Sequence, residues 1–286
     1  MLSIIISSYQ PSYYEALVKN IQETIGDGFI YEIIQIWNPN MMSITKAYNS
    51  GAEKSQYENL LFLHEDVIFH TENWGSKLIQ HLSMENVGII GVSGSNYVPS
   101  APSSWTTEEK YHFINILETD NSGTTYTHST KKHTNEVYGV DGVFLACKKS
   151  TIEKYKFNES LEGFHGYDLD LALRVSLELQ NYTIDNILIE HFSRGKRTKQ
   201  WLDSLIFIRK NIHFKKQRSI DSQTEFACFS SFLYIYFTYY PVSVKNIFFT
   251  LRFYPYKKIT LEMQFALLKK YFYYFIYSKK INTKLK

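Results

Sequence analysis

The chain is poor in cysteine. Cys147 and Cys228 are its only two, and no C-x-x-C spacing occurs. That excludes a disulfide framework and points to a reducing, cytosolic setting. The opening residues MLSIIISSYQP lack a basic segment, and their apolar run is too short for a secretion signal, so they read as a first strand. The loop after that run, SSYQPSYY, is neither glycine-rich nor basic. No internal repeat is visible. Acidic side chains are nearly missing from the last part of the chain. Residues 207–286 carry 15 Lys and Arg against 3 Asp and Glu, a charge of +12. Residues 1–206 carry 16 against 25, a charge of −9. The net charge of +3 conceals this split, which predicts two regions with different partners. With 286 residues and 44% hydrophobic composition, the chain can build one large domain, or one domain plus an appendage.

What is present begins with short apolar runs separated by helical patterns. SIIIS (3–7) reads as a strand. Pro11 opens a helix in which Leu17, Ile21 and Ile25 recur at i+4, and GDG (26–28) stops it. FIYEIIQIW (29–37) is a second strand, and NPN (38–40) is turn chemistry. Ser43 caps a helix over 44–55. NLLFL is a third strand, WGSKLIQHLS (74–83) a helix and VGIIGV (87–92) a fourth strand. Near-continuous apolar strands alternating with helices predict an α/β fold, a mostly parallel sheet with helices on both faces. Residues 95–136, with Pro99 and Pro102, read as a long functional loop. VYGVDGVFLACKK (137–149) reads as one strand. A helix follows over 168–180, with Leu169, Leu173 and Leu177 on one ladder and Leu171, Val175 and Leu179 on another. YTIDNILIEHFS (182–193) reads as a closing strand.

Open parallel sheets bind ligands beyond the carboxyl ends of their strands. Four polar clusters fall at such ends: SSYQ (7–10), NPN (38–40), HED (64–66) and HFS (191–193). The HED group reads either as a cap or loop start, or as carboxylate and imidazole ligands for a hard divalent cation that neutralises a leaving diphosphate. GFHGYDLDLALR (163–174) puts Asp168 at a helix N-terminus. There it is a cap, with Asp170 pairing to Arg174, or a general base kept ionised by the helix end. His191 reads as a structural or a functional histidine, Tyr9 as packing or ligand contact, and Trp105 and Trp201 as core or as sugar platforms.

Taken together, these segments resemble the family-two glycosyltransferases, which have the GT-A fold. SIIISSYQP is similar to that family's opening strand, and AYNSGAEKSQYENLLFLHEDV to the helix and strand leading to its Asp-x-Asp motif. VDGVFLACKK, FHGYDLDLALRVSLELQNYTI and EHFSRG follow in the family's order. The HED…FHGYDLD…HFS variant looks closest to a bacterial subgroup. The resemblance covers roughly residues 1–200 and implies a Rossmann-like catalytic domain (1–206). Residue by residue it implies Asp168 as catalytic base, with Asp66 and His191 as ligands of Mn²⁺ or Mg²⁺. Ser7, Ser8, Tyr9, Asn38, Lys46, His64 and Glu65 would lie on the nucleotide, and Asp141, Gly142, His165 and Tyr167 on the donor sugar and acceptor. Tyr167 stands where the family often has Glu. Asn38 or Asn40 would replace a missing acid, and Tyr48 stands where Arg is frequent.

The expected activity is a metal-dependent, inverting hexosyltransferase. It uses a nucleotide-sugar donor, UDP-linked, and a glycan or lipid-linked acceptor in bacterial surface polysaccharide assembly. The rival readings are a nucleotidyltransferase acting on sugar phosphates, against which the SSYQPSYY loop argues, and a non-catalytic glycan-binding or scaffold protein, against which Asp66 and Asp168 argue. Residues 207–286 are expected to be helical, basic and aromatic. FACFSSFLYIYFTYYPVSV (226–244) has spanning length, but its Tyr, Ser and Pro241 make it a poor spanning helix. Interleaved Lys and aromatics suit the surface of an anionic membrane, which implies a cytoplasmic protein peripheral at its inner face. The other reading is packing on the catalytic domain or on a partner subunit in an oligomer. Nucleic acid is not expected, because no recognised module accompanies the charge.

Overall fold

The computed structural model describes all residues except 121, 131, 193–196, 215, 218 and 286. β1 (Leu2–Ser8) is buried except at Ser7, which is partly open. Pro11 occupies the first position of α1 (Pro11–Thr24), where a missing N–H costs nothing, and Leu17 and Ile21 of this helix join β1 in one core cluster. Gly26 and Gly28, at φ +119° and +69°, turn the chain into β2 (Tyr31–Trp37). α2 (Ile44–Lys54) starts where the Ser43 hydroxyl accepts from the Lys46 N–H. Then come β3 (Asn59–His64), β4 (Val67–Phe69), α3 (Trp74–Leu82), β5 (Val87–Gly91) and β6 (Ser93–Ser95).

Three sequence expectations need correction. Residues 95–136 are not a plain loop: they form β7 (His112–Asp120), β8 (Gly123–His128) and most of β9 (Thr134–Val137). β8 is solvent-exposed and rich in Thr, so no apolar alternation marks it. The 137–149 run is divided among the end of β9, β10 (Gly139–Val140) and β11 (Phe144–Lys148), broken at Asp141 and Gly142. After α4 (Lys149–Tyr155) and α5 (Tyr167–Ser176), the 182–193 run divides into β12 (Gln180–Ile184) and β13 (Ile189–His191), broken at Asp185 and Asn186. Asp, Asn and Gly turn chemistry interrupts both runs.

The main sheet has seven strands in the order β2-β1-β3-β11-β5-β12-β9. β1 is parallel to β2 and β3, and β12 to β5; only β11 and β9 run the other way. The second sheet runs β10-β6-β7-β13-β4, with β8 on β7. Its β13–β4 pairing sets His191 opposite Val67, next to Asp66. α5 ends at Ser176 rather than at residue 180, leaving Leu177 exposed beyond it, and the ladder positions inside the helix are buried against different neighbours. Leu171 and Val175 pack with Tyr48 and Phe62, whereas Leu169 and Leu173 pack with Leu205 and Ile208 of α6 (Lys199–Asn211).

α6 runs across residue 206. α7 (Ser222–Tyr239), α8 (Val244–Leu251), α9 (Leu261–Ile276) and α10 (Ser278–Asn282) complete the chain. Phe229, Phe232, Leu233, Tyr236 and Phe237 of α7 share a core with Ala101, Leu202 and Ile206. Most of the 226–244 segment is therefore the interior helix of this region. Among the described residues, no helix is long and apolar enough to cross a membrane.

Asn181 on β12 pins three elements together. Its side-chain oxygen accepts from Ile89 N–H (3.0 Å), and its amide donates to the Tyr138 (3.0 Å) and Ala172 (2.8 Å) carbonyls. The residue is wholly buried, so no water replaces a lost partner. Asn181→Ala is expected to cost about 3 kcal/mol or more, since each unsatisfied buried polar group costs roughly 1–3 kcal/mol. Urea unfolding reads this as a lower midpoint; an unchanged midpoint would contradict the bridging role.

Candidate active site

The strand ends bring the polar clusters to one edge. Ser7 on β1 stands opposite His64 on β3 in the parallel register. A cavity of about 330 Å³ opens there, lined by Ser7, Tyr9, Gln10, Asn40, Ile44, His64, Glu65, Asp66 and Phe164. Gln10 and Phe164 come from the SSYQ and GFHGYDLDLALR segments, and Ile44 carries no motif signal; they reach the cavity because the β1–α1 turn, the start of α2 and the loop before α5 meet at this edge.

Several predicted nucleotide contacts serve the frame. Glu65 lines the cavity, but its carboxylate accepts from the N–H groups of Tyr9 (3.0 Å) and Gln10 (3.0 Å). It thereby ties the end of β3 to the N-terminus of α1, where backbone donors need partners. Burial raises its pKa, and those two hydrogen bonds oppose the rise. The Asn38 amide holds its own turn, bonding the carbonyl and N–H of Met42, while Asn40 reaches the cavity wall. Ser8 is wholly buried and accepts from Gln35. Lys46 is exposed on the first turn of α2 and is not among the cavity-lining residues. Tyr48 is a core residue whose hydroxyl donates to the Leu63 carbonyl.

His64, Asp66 and His191 converge, offering two imidazole nitrogens and a carboxylate oxygen within 4.8 Å of one another. His191 Nε2 lies 3.5 Å and His64 Nδ1 4.0 Å from the same Asp66 oxygen. Two neighbours fix His64 further. Its Nε2 is 2.7 Å from the Tyr167 hydroxyl, which also lies 3.1 Å from the Gly142 carbonyl. With the Tyr167 proton on Gly142, His64 donates through Nε2 and turns its Nδ1 lone pair toward Asp66, the tautomer a metal ligand there requires. Burial, joined by the charge of His191, lowers the His64 pKa and favours the neutral ring a ligand must present. For His191, burial pulls the pKa down, but Asp66 outweighs it and the net shift is upward. His64, grouped with the nucleotide contacts from sequence, thus joins the cluster of Asp66 and His191. Ser193, Arg194 and Gly195 of the HFSRG segment lie outside the described residues.

Asp168 stands in the first turn of α5 and accepts from Gly142 N–H at 3.1 Å. Gly142 thus joins Asp168, through its N–H, to Tyr167 and His64, through its carbonyl. A Cβ at Gly142 would lie 2.1 Å from the Tyr167 hydroxyl, so that link requires glycine. Asp141 accepts from Val143 N–H (2.9 Å) and from the Trp105 indole (3.0 Å). This bond to Trp105, which no spacing in the sequence announces, anchors the 99–107 stretch to the site. His165 is half-buried, which lowers its pKa, and sits 3.4 Å from the Thr198 hydroxyl. Trp201 packs in the core beside α7, with the Arg197 guanidinium 5.8 Å from its ring centre.

A family model described as "Glycosyltransferase like family" matches residues 3–217. The chain belongs to that family. Among solved structures, this glycosyltransferase-like chain is similar to GalNAc-T7 crystallised with UDP, GalNAc and Mn²⁺. The identity is 11% and the TM-score 0.52, over 73% of this chain and 47% of that one. It is also similar to Staphylococcus aureus TarS 1–349, at 12% identity and TM-score 0.51, over 99% of this chain and 83% of that one. The TarS 1–349 complex with UDP-GlcNAc matches at 12% identity and TM-score 0.51, over 92% and 77%. The chain spans about half the length of the GalNAc-T7 chain. No curated protein sequence matches it. At these identities the likeness is one of fold, and the fold is GT-A with a C-terminal helical, aromatic-rich region.

Burial, joined by the charge of Asp141, raises the Asp168 pKa to about 7. The folded protein therefore holds this proton into the neutral range, whereas an unfolded chain releases it near 4. The contribution is largest below about pH 4 and is lost as pH rises toward about 7. Asp168→Asn is expected to be more thermally stable than the parent at pH 8 without metal, and the gain should shrink toward pH 4. An equal difference at both values would contradict the shifted carboxyl.

Proposed function

We propose that this family member is a metal-dependent, inverting glycosyltransferase that takes a UDP-linked sugar and delivers it to a hydroxyl of a glycan or lipid-linked acceptor. The observation that carries the reading is a carboxylate flanked by two imidazoles at the sheet edge, beside a cavity of nucleotide size, with a second carboxylate tied to it through Gly142. The donor set fits a divalent cation. Two neutral nitrogens beside one carboxylate suit Mn²⁺ better than Mg²⁺, which prefers oxygen ligands throughout. His64, Asp66 and His191 would hold the ion, which when bound supplies positive charge to a leaving diphosphate. Support for the donor comes from GalNAc-T7 and TarS, whose structures were obtained with UDP and UDP-GlcNAc.

The protein groups divide the remaining work. Ser7, Tyr9 and Asn40 line the cavity that would take the nucleoside, and the Tyr9 ring is 53% exposed, open to a base. Asp141, Gly142, His165 and Tyr167 are assigned to the donor sugar and the acceptor, as the family resemblance implies. The acceptor oxygen attacks the anomeric carbon, the bond from that carbon to the diphosphate oxygen breaks, and its electron pair leaves with the diphosphate. Asp168 takes the acceptor proton. A base with a pKa near neutrality is well matched to that transfer.

A thermal-shift panel of nucleotide sugars with Mn²⁺, followed by transfer and hydrolysis assays, tests this. UDP species should stabilise the parent chain, and EDTA or Asp66→Ala should abolish the effect. Tyr167→Phe, which frees His64 to change tautomer, should weaken Mn²⁺ binding roughly 10–100-fold. Asp168→Ala should keep donor binding and lose transfer. Nucleotide binding with no transfer or hydrolysis from any donor would leave a non-catalytic binding protein instead.

A further inference from the structure

Helix α9 carries two apolar faces, centred about 120° apart at 3.6 residues per turn. Leu267 and Tyr271 are buried, and Tyr274 packs on Phe237 of α7. That face accounts for the helix's attachment to the fold. On the other face, Leu261, Phe265, Leu268, Phe272, Phe275 and Ile276 recur at steps of three and four and are 54–73% exposed. At 3.6 residues per turn they form a stripe about 100° wide and about 22 Å long. Tyr273 and Tyr277 beside it are also open, as are Val244 and Phe248 on α8. Six large side chains exposed to this degree amount to several hundred Å², the scale at which a surface patch marks an interaction site.

The charge around the stripe selects its occupant. Lys269, Lys270, Lys279 and Lys280 are exposed on or just beyond α9, and Lys245, Arg252 and Lys257 are exposed on α8 and the following loop. Two of the region's three acids are engaged elsewhere. Asp221 is paired with Lys110, and Glu225 is buried against Lys258 and the Tyr97 hydroxyl. Glu262 is the remaining acid. A second copy of the same face would set these lysines against their equivalents. An anionic lipid surface accepts both features: the apolar stripe enters the acyl boundary, and the lysines meet the headgroups.

We infer that α9 is a membrane-surface helix, lying in the plane of an anionic bilayer with the 261–276 stripe inserted. The inference stands independently of the catalytic reading. It assigns the membrane contact expected of the basic, aromatic region 207–286 to the outer face of α9.

Flotation of the full chain with phosphatidylcholine vesicles, with and without phosphatidylglycerol, tests this. Sedimentation velocity of the same samples reports self-association. The parent chain should float only with the anionic vesicles, and less so as salt is raised. Phe265→Ser/Phe272→Ser should weaken flotation at least ~tenfold with an unchanged melting temperature, because both side chains are exposed. Lys269→Glu/Lys270→Glu should also weaken it. Absence of flotation, or flotation insensitive to the serine pair, overturns the inference. So does a dimer that the serine pair dissociates without any vesicle binding, since a second copy then covers the stripe.

Discussion

The Tyr167 hydroxyl has one proton to give, and the site is built around where it goes. It reaches both the Gly142 carbonyl and His64 Nε2, and with the proton on Gly142 the His64 tautomer turns a lone pair toward Asp66. The N–H of the same glycine donates to Asp168. One tyrosine and one glycine therefore connect three strand ends and the N-terminus of a helix. Burial, first of all, holds the Tyr167 phenol protonated, with the neighbouring Tyr48 and the Asp168, Asp141 and Asp66 carboxylates adding to it. The link persists because its central hydroxyl does not ionise.

Around this link the protein accepts unfavourable electrostatics. Asp141 and Asp168 flank Gly142, and burial with that mutual charge keeps a proton on Asp168 into the neutral range. Such an arrangement lowers stability and leaves reactivity at the carboxyl that needs it, the usual mark of a functional site. Glu65, between His64 and Asp66 in the chain, shows the opposite use of a carboxylate. Two backbone N–H groups occupy it, and it works as a clamp on the β1–α1 turn.

The C-terminal helices solve two problems with one composition. α7 turns Phe229, Phe232 and Phe237 inward and covers the outer side of α6, which in turn buries Leu169 and Leu173 of α5. α9 closes that core with Leu267 and Tyr271 and leaves a second apolar stripe facing out. Aromatic density alone does not separate these roles. Which face is covered depends on what packs behind it.

The local signals in the sequence determined most of the scaffold. Buried β-branched runs, Pro11, the Ser43 cap and the glycines at 26 and 28 specify β1, α1, β2 and α2 through backbone preferences that need no partner. The ordered motifs also located Asp66, Asp168 and His191. Tertiary structure decided the rest, for identifiable reasons. The β7–β8 hairpin escaped the pattern because one of its strands faces solvent and carries Thr where alternation would show. The 182–193 run divided because β12 and β13 belong to different sheets, a choice set by pairing partners far away in sequence. His64 joined Asp66 and His191 because a hydroxyl 103 residues along the chain orients its ring. Sequence names the groups able to act; only the packed fold sets which oxygen, which nitrogen and which proton face one another.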